Sequence, residues 1–364
     1  AEGAVQPLEH YLRRFPGHEA AITIEYQRLC QVEATTTPAI RRVGHYEIVQ
    51  KLGSGGQGVV LLAEDTRLRR RVALKVLAPH LDFVSQERLQ RFRREAELLS
   101  QLDHPGICQI YEADTCDGVP FLAMRYVEGR TLAAILRERK AAGALPRTRL
   151  ELHEVVQWIE TAARAVHEAH QNGVVHRDIK PGNLMITPSG SPVLLDFGLA
   201  RAQGSPPGHD IEITRTGDVL GTLAYMAPEL LAHRPADLRA DVYALGVTLY
   251  ECLTHSLPFP GETQSAMWRA IENGSVTPAR QHNDAIPADL AAVVATAMSA
   301  SPAHRYASAE ELALDLERVR HREPIHARPV PLATRTILWL QRHPTLSTGL
   351  FSAAVLIVAL ATSL

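Results

Sequence analysis

The sequence predicts an α+β protein of two lobes, a small β-rich N-lobe with one main helix and a larger, mostly helical C-lobe, followed by a C-terminal transmembrane helix. Three observations predict it. Between Tyr46 and Tyr126 the apolar residues fall in short runs broken by glycine, the texture of strands. From about Val127 the apolar spacing turns helical, and strands followed by helices read as an α+β arrangement or as separate domains. The last nineteen residues, Leu346–Leu364, carry no charge.

The bulk numbers narrow the function. A chain of 364 residues can bury two or three real cores, and 46% hydrophobic against 21% charged is a globular balance. A net charge of −2 offers no basic field, so no nucleic-acid partner is expected. Cys30, Cys108, Cys116 and Cys252 fall at unrelated spacings and read as reduced thiols, not as a disulfide frame or a zinc site. Neither His153-Glu154 nor His167-Glu168 continues into HExxH, so no histidine metal site is expected. The chain begins at Ala1 without Met or a secretory signal and reads as a trimmed fragment.

In chain order, residues 1–40 read as a helical extension and linker. Leu8, Tyr11, Leu12 and Phe15 share one face, Pro16-Gly17 breaks it, and Thr35-Thr36-Thr37-Pro38 links onward. The N-lobe covers 46–126. Its first two strands, Tyr46 to Leu52 and Val59 to Ala63, flank Gly53-Ser54-Gly55-Gly56-Gln57-Gly58. A Rossmann turn uses the same letters, but there a helix must follow so that its N-terminus faces the pyrophosphate. Here β-branched and apolar residues follow, so the glycines join two strands. Without a Cβ in the way, their N–H groups can approach phosphate oxygens; a plain glycine-rich hairpin is the alternative.

Arg71 to Leu77 is a third strand, and Lys75 within it either snorkels to solvent or is held inside against an anion. Ser85 is the expected N-cap of the next helix, whose apolar stripe is Leu89, Phe92, Ala96 and Leu99. Glu95 lies on the margin of that stripe and Glu97 further away, which makes Glu95 the expected partner of Lys75. Ile107 to Ala113 and Val119 to Tyr126 read as two more strands around Asp117-Gly118. The lobe boundary falls near Val127, and clefts for small ligands commonly lie at such boundaries.

The C-lobe covers 127–322. Helices are expected at 132–142 and 152–171, the second stopped by Asn172-Gly173. Then comes His176 to Asn183 (HRDIKPGN), which sets Asp178, Lys180 and Asn183 within six positions. A carboxylate beside an ammonium suits proton acceptance next to a negatively charged group in transfer, and the amide oxygen can ligate a hard cation. A polar loop capping a helix is the plainer alternative. Short strands around Pro188-Ser189-Gly190 lead to Asp196-Phe197-Gly198. Residues 199–220, with Ser205, Thr214 and Thr216, form a loop longer than structural loops usually are. It ends at Gly221 to Glu229 (GTLAYMAPE). Asp241 to Leu253 is apolar around most of its circumference and reads as a buried helix with Asp241 at its positive end. Helices at 264–273, 287–299 and 308–322 complete the lobe.

Residues 323–344 read as a basic juxtamembrane segment and 345–364 as a transmembrane helix, a core helix of a larger region being the alternative. Nineteen uncharged helical residues span about 29 Å, close to the ~30 Å hydrocarbon core. Arginines before the span would keep the preceding part cytoplasmic.

Together these motifs resemble the eukaryotic-type (Hanks-type) protein kinase family, and more narrowly bacterial membrane-anchored serine/threonine kinases, over about Tyr46 to Arg322. The resemblance implies ATP-binding by Leu52, Gly53, Ser54, Gly55, Gly56, Gln57, Gly58, Val59 and Val60, with Ala73 and Leu184 on the adenine ring. Met124, Tyr126 and Val127 would form the hinge beside it. It implies that Lys75 holds the α- and β-phosphates, steadied by Glu95. Asp178 would accept the proton of the substrate hydroxyl, Lys180 stabilise the γ-phosphoryl charge, and Asn183 and Asp196 ligate Mg2+, for which Mn2+ can substitute. Glu229 would pair with Arg305, and Asp241 support the catalytic loop backbone. Lys180 and GTLAYMAPE point to serine and threonine of protein substrates as acceptors. Arg177 next to Asp178 points to control by phosphorylation of Thr214 or Thr216, with Thr222 in a structural role. The implied setting is a single-pass protein of the bacterial inner membrane with its kinase domain cytoplasmic, able to form a homodimer for autophosphorylation. Two rivals remain at this point. An inactive scaffold would usually have lost Lys75, Asp178 or Asp196, and a small-molecule phosphotransferase would lack GTLAYMAPE and the Glu229–Arg305 partners.

Overall fold

The computed structural model describes residues 42–55, 58–77, 86–116, 118–197, 223–232, 234, 237–259, 264–272 and 276–327. The expected helices of residues 1–40, Gly56, Gln57, Gly198, Thr214, Thr216, Thr222 and the span at 345–364 lie outside the described residues. Among the described residues no helix is long and apolar enough to cross a membrane. The chain divides after residues 81, 112 and 126 into two compact units.

The first unit is built on strands. β1 (Arg42–Val43), β2 (Tyr46–Gly55), β3 (Gly58–Asp65), β4 (Arg70–Leu77), β5 (Ile110–Cys116) and β6 (Val119–Arg125) form a sheet ordered β1-β2-β3-β4-β6-β5. β1 with β2, β2 with β3, β3 with β4, and β4 with β6 pair antiparallel. Ala63, Val72, Leu74 and Ala123 are fully buried at the centre. The β3–β4 turn is held by Asp65, whose carboxylate accepts the N–H groups of Arg67 (3.0 Å) and Leu68 (3.1 Å).

The second unit is mostly helical. It holds α1 (Gln86–Ser100), α2 (Leu132–Ala141), α3 (Arg149–Gln171), α4 (Pro228–Leu231), α5 (Arg239–Thr254), α6 (Gln264–Glu272), α7 (Ala279–His282), α8 (Ala288–Ala297) and α9 (Ala309–His321). A small sheet, β7 (Arg130–Thr131), β8 (Leu184–Ile186) and β9 (Pro192–Leu194), lies among them. α3 starts at a capping box: the Thr148 hydroxyl accepts from Glu151 N–H, and the Glu151 carboxylate accepts from Thr148 N–H. Such a cap contributes about 1 kcal/mol. α5 is buried along nearly its whole length, as its apolar circumference predicts. Close packing demands Gly246 on it, because a Cβ there would meet the Ala297 Cβ of α8 at 2.8 Å. α3 and α9 are cross-linked by charge, Arg164 to Glu310 and Glu317 (2.9 Å each) and Arg320 to Glu160 (2.6 Å).

One strand differs from the sequence expectation. Ile107 is not in β5; it bridges in parallel to Leu194, with Cys108 N–H on Leu194 O at 2.9 Å and Leu194 N–H on Gly106 O at 2.8 Å. The cause is local. His104 Nδ1 accepts Gly106 N–H at 3.0 Å, and this turn delivers Ile107 to β9 before the chain extends as β5.

Candidate active site

The site in the second unit is assembled on the loop that follows α3. Asn172 caps that helix, and Gly173, at φ +75°, turns the chain away. The loop is anchored from behind by Asp241 in the first turn of α5. Its carboxylate, 1% exposed, accepts His176 N–H (2.8 Å), Arg177 N–H (2.8 Å) and His170 Nε2–H (2.8 Å). Burial pushes this carboxyl up, but the bonds from His170 and the nearby imidazoles outweigh it and hold it below the usual range. Arg177 is held at φ +62°, a conformation that L-residues rarely adopt outside constrained sites.

The geometry fixes the tautomer of His176. Its Nδ1 accepts Asp178 N–H at 3.2 Å, so Nδ1 carries no proton, and Nε2–H donates to Leu195 O at 2.9 Å. The ring is fully buried, which lowers its pKa and keeps it neutral, and it lies 4.6 Å from the Phe197 ring. The imidazole thus ties the loop of Asp178 to the segment carrying Asp196.

Asp178, 7% exposed, is the centre of the loop. Lys180 Nζ donates to its Oδ2 at 3.0 Å, and Asn183 Nδ2 donates both to Oδ2 at 2.9 Å and to the Asp178 carbonyl at 2.7 Å. Since both contacts are acceptors, the nitrogen of the Asn183 amide must face Asp178 and its Oδ1 faces away. Asn183 ends a 3-10 turn, Pro181–Asn183, and its carbonyl accepts Leu195 N–H at 2.8 Å. β8 and β9 pair Leu184 with Leu194, so Asn183 and Leu195 face each other at the open end of the hairpin. Asp196, one residue beyond, is held at φ +46°. An outward amide oxygen beside a carboxylate one residue past the register is an all-oxygen donor set that suits a hard divalent cation.

Next to Asp178 a small hollow is lined by Arg177, Ile179, Tyr225, Met226, Leu230 and Ala244. Next to Leu230 in the chain, Glu229 forms the expected pair with Arg305. The guanidinium donates to both carboxylate oxygens (2.6 and 2.7 Å) and also to the carbonyls of Ser299 (2.7 Å), Ala300 (3.1 Å) and Arg239 (3.2 Å). Tyr225 O–H donates to Glu251.

In the first unit, β2 and β3 close on each other with Gly55 opposite Gly58. Gly58 is required there: φ is +140°, and a Cβ would sit 2.1 Å from the Val76 carbonyl oxygen. Gly53 faces open space, with nothing within 4 Å of a Cβ. Lys75, 7% exposed, sits on β4 opposite Val60 of β3 and Leu122 of β6. Ala73 lies opposite Met124. Leu52 and Ser54 are exposed, and Val59, Val60, Tyr126 and Val127 are half-buried. In the second unit Leu184 is buried at 1% exposure. The side chain of Glu95, expected against Lys75, lies outside the described residues.

Sequence reasoning missed His170, the side-chain donor on Asp241, and the Tyr225–Glu251 bond. Both join residues far apart in the chain, 71 and 26 positions, and no local spacing signals them.

Comparison with known proteins matches residues 46–315 to the protein kinase domain family. The serine/threonine-protein kinase PknB of Mycobacterium leprae is 38% identical over 301 residues, 81% of this chain and 46% of that protein. The tyrosine-protein kinase MasK of Myxococcus xanthus is 38% identical over 300 residues, 78% of this chain and 44% of that protein. The crystal structure of the PknI kinase domain of Mycobacterium tuberculosis (C20A_R136N double mutant) is similar with a TM-score of 0.59 at 27% identity, covering 76% of this chain and 96% of that one. The chain spans about half the length of the curated relatives it matches.

Proposed function

The chain belongs to the protein kinase domain family, and from that premise we propose that it is a serine/threonine protein kinase, transferring the γ-phosphoryl group of ATP to hydroxyls of protein substrates. The observation that carries this reading is the hydrogen-bonded group Asp178, Lys180 and Asn183 on a loop braced by Asp241. A polar capping loop has no need of a strained Arg177, a neutral buried histidine and a carboxylate 7% exposed.

Phosphoryl transfer is mostly positioning and charge neutralisation. In the proposed mechanism Asp178 orients the acceptor hydroxyl and takes its proton at Oδ2. Lys180, already on that oxygen at 3.0 Å, meets the charge of the phosphoryl group as it passes. Lys75 with Glu95 would hold the α- and β-phosphates. The glycine-rich strand pair from Leu52 to Val60 would cover them, with Ala73, Met124, Tyr126, Val127 and Leu184 about the adenine. Asn183 and Asp196 would hold Mg2+ or Mn2+, which supplies neutralisation of the phosphate charge when bound.

The finer readings belong to the same proposal. Its organisation is a helical extension and linker (1–40), an N-lobe (46–126), a C-lobe (127–322), a juxtamembrane segment (323–344) and a membrane span (345–364). The setting is the bacterial inner membrane with the catalytic part cytoplasmic, and homodimers support autophosphorylation at Thr214 or Thr216. The uncharged run Leu346–Leu364 supports the span, and Arg177 next to Asp178 supports control by loop phosphorylation.

The name of MasK makes the acceptor the point to test. Incubation with γ-labelled ATP and Mg2+, followed by acid hydrolysis and separation of phosphoamino acids, should release phosphoserine and phosphothreonine. Label recovered as phosphotyrosine would overturn the serine/threonine reading.

A further inference from the structure

The end of α9 carries a device that the phosphoryl-transfer reading does not use. Asp315 is fully buried, and all of its acceptor capacity faces one short segment and its surroundings. His326 N–H donates to Oδ1 (2.9 Å) and Oδ2 (3.1 Å), and Ala327 N–H to Oδ2 (2.9 Å). Tyr306 O–H (3.0 Å) and Arg318 Nη1 (2.8 Å) complete the set. Burial alone would raise this carboxyl; the two backbone donors, Arg318 and Tyr306 outweigh it and keep the carboxylate charged.

The chain reaches Asp315 by reversing at the helix end. Arg322 takes φ +60°, its N–H bonds to Val319 O, and Glu323 N–H bonds to Arg318 O at 2.8 Å. A left-handed residue other than glycine is strained, so something beyond it must hold the reversal in place. Pro324 follows and cannot continue the helix. Ile325 is buried at 8% exposure, and Arg318 donates to His326 Nδ1 at 3.1 Å. Asp315 thus holds His326 and Ala327 through their main-chain N–H groups, with Ile325 as the apolar anchor of the segment.

The geometry points to a latch: residues Glu323–Ala327 form a strap that docks reversibly on the second unit at Asp315. Closed, residues 323–327 are held to the second unit; open, Arg322 is the last residue held. The bonds that close it lie at the strap's far end, on His326 and Ala327. Where the chain continues to the proposed membrane span, opening frees five more residues of tether, about 17 Å at full extension. Only this last consequence rests on the membrane reading.

Amide hydrogen exchange on the full chain tests the latch without any measure of catalysis. His326→Pro removes the His326 N–H donor from the strap, together with the ring that accepts from Arg318 of α9. It should speed exchange at the Ala327 amide by about 10- to 100-fold, the loss expected of one hydrogen bond to a charged acceptor. The amides of Leu312 and Leu316 should keep their protection. Asp315→Asn should do the same at both His326 and Ala327. Should the Asp315 variant not fold, His326→Pro alone decides. Unchanged exchange at Ala327 would overturn the latch, as would loss of protection throughout α9.

Discussion

Replacing Glu229 by alanine should destabilise the second unit by about 3 kcal/mol. The carboxylate is 8% exposed and takes two guanidinium bonds at 2.6 and 2.7 Å, so its loss leaves the Arg305 charge buried. Breaking a buried pair from one side costs about 3–5 kcal/mol. Arg305 keeps three carbonyl acceptors and the face of Tyr243 at 4.9 Å, which places the cost at the low end. Urea unfolding followed by far-UV circular dichroism should show a midpoint lower by about 1 M for an m-value near 3 kcal/mol/M. Arg305→Ala should cost a similar amount, because Glu229 then loses both guanidinium bonds. The double variant should fall short of the sum by about 2 kcal/mol, the coupling of residues in direct contact. Single losses under about 1 kcal/mol, or strict additivity, would refute the view that this buried pair ties α4 into the second unit.

Four further outcomes are expected. Gly58→Ala should destabilise the first unit by about 2–4 kcal/mol in a thermal melt, since its Cβ would meet Val76 O at 2.1 Å with φ at +140°. Gly53→Ala should melt within about 1 kcal/mol of the parent yet raise the KM for ATP, because only a ligand could meet that Cβ. Asp241 titrates below its ordinary 3.8 when folded, so the stability it contributes is present above about pH 4 and lost as pH falls through the folded value. Asp241→Asn should therefore flatten the acid limb of a stability–pH curve as well as lower stability at neutral pH. Phosphatase treatment should lower the rate of phosphoryl transfer, and an unchanged rate would reject control by Thr214 and Thr216.

Much of the site was legible because its chemistry is local. Asp178, Lys180 and Asn183 lie within six positions, and one turn with a short 3-10 helix is enough to bring them together. The buried α5 was legible from its apolar circumference, and α3 from its period and its Asn-Gly stop. Ile107 was misplaced because a run of apolar residues does not say which sheet it joins; the His104 turn decides that. The pair Glu229–Arg305 came from the family resemblance, since residues 76 apart have no shared periodicity. His170 on Asp241, Tyr225 on Glu251 and Asp315 under the strap escaped for the same reason.

The measurement that bears most directly on the account is phosphoryl transfer from labelled ATP with Mg2+ to a generic protein by the parent chain and by Asp178→Asn. The variant keeps the size of the side chain but cannot take a proton at Oδ2. With circular dichroism and melting of the variant close to the parent, the account predicts label in the substrate from the parent and at least about a hundredfold less from the variant. Equal incorporation by both proteins would contradict it, and would leave a kinase-shaped scaffold in place of an enzyme.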